Sequence, residues 1–78
     1  MLAILFFSFN FTYVDYLGKK TIVNDRGRKI VKLPQFDNED ELSEWLDDME
    51  HEISKEILMA DIDHRDEVNT AITNIVKI

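Results

Sequence analysis

Seventy-eight residues make one small domain, because a chain this short buries only about 60–65% of its unfolded surface and has little stability margin. It has no cysteine, which excludes disulfides and thiolate metal sites and fits a reducing, cytoplasmic compartment. A 45% hydrophobic, 32% charged composition with two glycines and one proline argues against a low-complexity chain, and the net charge of −7 argues against a dedicated polyanion binder.

That charge is unevenly placed. Residues 1–36 carry six cations against two acids, net +4, and residues 37–78 carry fourteen acids against three cations, net −11. The switch falls at Pro34–Phe36, where the hydrophobic period changes from two to about 3.6. An α+β domain over residues 1–78 is expected, with a basic β half (1–36) and an acidic helical half (37–78).

The first seventeen residues are rich in apolar side chains, but Ser8, Asn10, Thr12 and Asp15 interrupt the run. A spanning helix needs about 20 nearly uninterrupted apolar residues, and a secretory signal needs a basic leading region. No membrane association is expected. Alternation instead predicts a strand over about 3–16, with Leu5, Phe7, Phe9, Phe11 and Tyr13 on one face. Gly18 suits a tight turn into a second strand over 19–24. Asn24-Asp25-Arg26-Gly27 has the composition of a further turn before a third strand over 28–33.

The expected product is an antiparallel meander. A tight turn at Gly18 would then leave residues 3–10 overhanging as an unpaired edge, which native proteins usually avoid. Two arrangements remove the overhang. Residues 19–33 can form one long bulged strand opposite 3–16, placing Asp15 beside Lys20, or the overhang can pair with a second copy to give a homodimer.

Pro34 ends the β half, and Asp37 or Asn38 caps a helix whose first turn is acidic. Leu42, Trp45, Leu46, Met49, Ile53 and Ile57 form its apolar stripe, over about 38–60. Leu58 and Met59 point away from that stripe and need a cover. A turn near Asp61 and a second amphipathic helix over 63–77, with Val68, Ala71, Ile72 and Ile75 inward, would supply one. The alternative is a continuous helix over 38–78, roughly 60 Å long.

Chemistry-bearing motifs are few. His51 with Asp47 and Asp48 falls short of the three or four convergent ligands of a metal site. Residues 61–67 lack the glycine and ligand pattern of a calcium loop. His64 has no accompanying nucleophile or phosphate-cradling loop. Neither a cofactor, a metal nor an enzymatic activity is expected.

Two charged features remain. Glu41, Glu44, Asp47, Asp48 and Glu52 crowd the back of the first helix, where an acidic array can imitate nucleic-acid phosphates and dock on a basic protein, one that itself binds nucleic acid. Tightness would come from apolar anchors, for which Leu58 and Met59 are candidates. A solvated helix surface is the plain alternative. Lys19, Lys20, Arg26, Arg28, Lys29 and Lys32 cluster on the hairpin, and β-ribbons do enter nucleic-acid grooves, but fourteen neighbouring acids repel phosphate.

The leading expectation is therefore a non-enzymatic interaction protein, an inhibitor or regulator that uses its acidic helix. Small, acidic, motif-free chains of this kind are common among phage-encoded inhibitors of host defence, a likeness of class alone. A homo-oligomeric module joined through the first strand or the helices is the second reading. Direct nucleic-acid binding by the hairpin is the third and weakest.

Overall fold

The computed structural model describes residues 1–78. Its elements are β1 (Leu2–Val14), β2 (Lys20–Lys32), α1 (Glu39–Ala60) and β3 (Arg65–Lys77). The three strands form one sheet in the order β2-β1-β3, with β1 antiparallel to both neighbours. The fold is α+β, as expected, but it holds one helix and not two.

The overhang is resolved by a long hairpin. β1 and β2 pair without a register shift from Leu2↔Lys32 to Val14↔Lys20. Gly18 takes φ 81°, and the Asp15 carboxylate accepts from the backbone N–H groups of Leu17 and Lys19. Asp15 therefore holds the turn through backbone rather than pairing with Lys20. The expected turn at Asn24–Gly27, and with it the separate strands 19–24 and 28–33, does not exist.

Gly27 serves a close approach instead of a turn. The ring of Phe7 lies against it from the opposite strand, and a Cβ there would sit 2.6 Å from the ring. Its φ is not positive, so side-chain packing is what requires glycine at this position. The overhang from which a homodimer through the first strand was expected does not exist: β1 is the central strand, hydrogen-bonded on both edges.

α1 begins as expected. Asn38 is the N-cap and accepts from the N–H of Glu41, while the Glu41 carboxylate reaches back to the N–H of Asp37. Glu39, Asp40 and Glu41 place negative charge at the positive end of the dipole. The buried residues of the helix are Met49 and Ile53, both on the expected stripe.

The second helix is the larger correction. Residues 61–64 turn, as expected, but 65–77 return as a strand on the free edge of β1, and no continuous helix runs to residue 78. Val68, Thr70, Ile72, Thr73, Ile75 and Val76 are β-branched and favour the pleated surface. The helix-like spacing of the apolar residues has a specific origin. Register slips between Phe6 and Phe7, so that Phe6 faces Asn74 and Phe7 faces Ile72, leaving Thr73 unmatched. This bulge makes the three-residue step from Ile72 to Ile75 look like a helical interval. A second irregularity lies between Asn10 and Thr12, and there Glu67 adopts φ 52°.

The helix covers one face of the sheet. Thr70 hydrogen-bonds Ser54 at 2.7 Å, Arg65 donates to the Ile57 carbonyl and lies over the Phe11 ring, and Lys29 pairs with Glu56. Beneath it, Ala3, Leu5, Phe7 and Phe11 join Met49 and Ile53 as the six buried residues. The molecule is long and flat, 49 × 22 × 17 Å, with no helix long and apolar enough to cross a membrane.

Candidate functional site

Directly opposed residues of an antiparallel pair share a sheet face, so the register sorts the side chains. The odd-numbered residues of β1 face the helix, together with Lys29 of β2 and Arg65, Thr70 and Ile72 of β3. The even-numbered residues face the other way, and no element of the chain lies over them. Four of the six hairpin cations, Lys20, Arg26, Arg28 and Lys32, stand on this open face. Lys29 does not: it reaches the helix and is held by Glu56. Lys19 sits in the turn.

The two signs of charge thus lie on opposite sides of one sheet, apart from a few exceptions. The acidic helix covers one side, and the cations of β2 look out from the other. Parity could have shown this from the sequence, once residues 20–32 were taken as one strand.

On the helix, the five acids proposed for partner binding are all exposed, but they are not equivalent. Glu41 is engaged in the N-terminal cap. Glu44, Asp48 and Glu52 recur at four-residue intervals and continue the line of Glu41, a row roughly 16 Å long. Asp47 stands about 100° round the helix from that row, and its carbonyl is within 2.8 Å of His51 Nδ1. None of Glu44, Asp47, Asp48 or Glu52 has an ion-pair partner, since the ion pairs of the molecule are Lys29–Glu56 and Asp61–His64.

The two anchor candidates also separate. Met59 is 58% exposed and lies on the line of the acidic row, beyond the exposed Lys55, whereas Leu58 is half-buried on the other flank. Ile62, 56% exposed in the turn that follows, comes three residues after Met59. It escaped the sequence reading because a helix–turn–helix would have covered it.

His64 lies in this turn and not in the first turn of a helix. Its Nδ1 is 2.8 Å from Asp61 Oδ1, and its ring stacks on Tyr13. The hydrogen bond and charge of Asp61 raise its pKa above the usual histidine value. Asp47, Asp48 and His51 form no metal-binding group with other ligands, and neither does any other cluster.

At the far end of the sheet an open groove of about 570 Å³ runs between Met1, Leu33, Pro34, Phe36, Leu42 and Ile75. Phe36 packs on Trp45 beside it, with ring centroids 5.6 Å apart. The geometry of this protein is therefore one of surfaces: an acidic row beside an apolar side chain, and an open sheet face of mixed apolar and basic character. Comparison with known protein families, with curated proteins and with solved structures finds no match for the chain.

Proposed function

We propose that this is a non-enzymatic interaction protein, an inhibitor or regulator working in the cytoplasm, that docks the outer face of α1 on a basic surface of another protein. The observation that carries the reading is the row Glu44–Asp48–Glu52, exposed and unpaired, with the exposed Met59 on the same line beyond Lys55. Carboxylates held at one-turn intervals on a rigid helix present negative charge in a fixed line, as a nucleic-acid strand does. The partner of matching chemistry is one whose basic surface receives phosphates. Charge would steer the encounter and set orientation, and Met59 would supply the desolvated contact that slows release.

Affinity capture from the source cell tests this with the wild-type chain and a Glu44→Lys, Asp48→Lys, Glu52→Lys variant. A basic partner retained by the wild type and lost by the variant is the expected result. Retention that ignores the reversal, or a partner without a basic surface, overturns the reading.

A homo-oligomeric module is the second reading. It is favoured by the uncovered sheet face, not by the first strand, which is central, nor by the helix, whose exposed side repels its own copy.

A further inference from the structure

We infer that the open face of the sheet binds a second copy of this chain, face to face, about a twofold axis running along β1. The inference rests on the homo-oligomeric reading and is independent of the acidic row. It gives a four-layer dimer, helix–sheet–sheet–helix, with both acidic helices outermost.

The molecule has more surface than a compact chain of its mass. The chain exposes 5927 Å². A compact monomer of its 9.2 kDa mass exposes roughly 4,900 Å². The excess, roughly 1,000 Å², is close to the ~800 Å² that each partner of a standard interface covers. Its radius of gyration, 14.4 Å, likewise exceeds the roughly 11.5 Å of a compact chain of this length. Laying two flat sheets face to face covers one broad face of each copy and thickens the shortest dimension, 17 Å.

The open face also carries an apolar cluster. Leu2, Ile4, Phe6, Ile30 and Val76 cluster across the three strands at one end, with Leu2 52%, Ile30 64% and Val76 42% exposed. A half-buried Ile4–Phe6 pair with exposed apolar neighbours is the kind of surface an inter-sheet layer fills.

Charges on that face are segregated by strand. Its cations are all on β2, at one edge. Its acids are on β3, at the other: Asp66 is paired with Thr12, and the Glu67 carboxylate meets the Thr12 hydroxyl at 3.5 Å. A twofold axis along the central strand stacks β1 on β1 and lays β2 of each copy over β3 of its partner. Lys20 then faces the acidic end of the partner's β3, Arg26 and Arg28 lie at the level of its alanine and asparagine positions, and the cations of the two copies stay apart. A twofold axis across the strands would instead stack β2 on β2 and bring the cations of the two copies together.

Lateral growth of the sheet is a poorer alternative. Along β3 the N–H groups of Glu67, Ile72 and Ile75 take side-chain acceptors from Asp66, Glu50 and Asn74. On β2 the N–H of Arg26 takes the Asp25 carboxylate. Both edges are thus partly closed to strand addition, and β2 is also guarded by its cations.

Sedimentation velocity on the full chain tests the inference. The wild type should be a dimer at about 200 μM, where a Kd in the micromolar range leaves most chains paired. Ile30→Asp should raise the dissociation constant tenfold or more while the far-ultraviolet circular dichroism stays unchanged. Lys20→Glu should weaken the dimer, and adding Asp66→Lys to it should restore part of the loss. The triple helix reversal that tests partner capture should leave the dimer intact.

A wild-type monomer at that concentration overturns the inference, as does a dimer indifferent to Ile30→Asp. A monomer that retards a DNA duplex at low salt and loses this on Arg28→Glu would give the face to nucleic acid instead.

Discussion

The two faces of β1 differ more than any other two regions of this molecule. On one, Ala3, Leu5, Phe7 and Phe11 are buried beneath the helix; on the other, Ile4 and Phe6 are only half-buried and have nothing above them. Both faces come from one alternating strand, so the difference is not one of hydrophobicity alone. A single 22-residue helix can roof only one side of a sheet. What this teaches is that the core is small, six residues, and that stability and interaction are divided between the faces.

Truncation on the helix side should have the largest effect. Leu5→Ala removes a fully buried side chain and should cost about 2–5 kcal/mol, most of the stability of a small domain. Chemical denaturation checks it, and a loss below 1 kcal/mol, a value no larger than surface changes give, would break the comparison. Gly27→Ala should cost about 1–3 kcal/mol, because its methyl meets the Phe7 ring at overlapping distance. Combining it with Phe7→Leu should cost less than the sum of the two single changes, since the clash needs both partners.

Asn38→Ala removes the acceptor for the Glu41 N–H and should cost about 1 kcal/mol. On the open face, Ile30→Thr should change the stability of an isolated chain by no more than about 0.5 kcal/mol. Its effect should grow with protein concentration if that face is an interface, as unfolding transitions at two concentrations would show.

The smallest effect is that of His64. Its pKa is raised in the folded chain, so its interaction with Asp61 contributes fully below the unfolded histidine value of about 6.5 and is lost as pH rises through the higher folded value. The melting temperature should therefore fall slightly between about pH 5.5 and pH 8, and His64→Gln should remove that part of the slope. An NMR titration placing His64 at or below the unperturbed value would contradict the Asp61 contact.

The first strand, the helix and its cap were legible because each is a local pattern: period two from Leu5 to Tyr13, period 3.6 from Leu42 to Ile57, and Asn38 ahead of three acids. The open face of the hairpin was not. Its four cations were visible as residues, but their parity depends on whether Asn24–Gly27 turns, and local composition misleads there. Of the five acids expected to form one array on the helix, Asp47 lies off the line that the other four share.

By itself, then, the sequence determined where charge reverses, where β gives way to α, and which side of β1 and of α1 would be buried. These follow from side-chain periodicity within one segment. The tertiary structure alone decided that Gly27 packs on Phe7 instead of turning the chain, and that residues 65–77 are a strand. Their apolar spacing fits a helix only because Thr73 is bulged out of register. An isolated segment rich in β-branched residues has no partner to pair with, and what made this one a strand was the unfilled edge of β1, a hydrogen-bonding demand set sixty residues away in the chain.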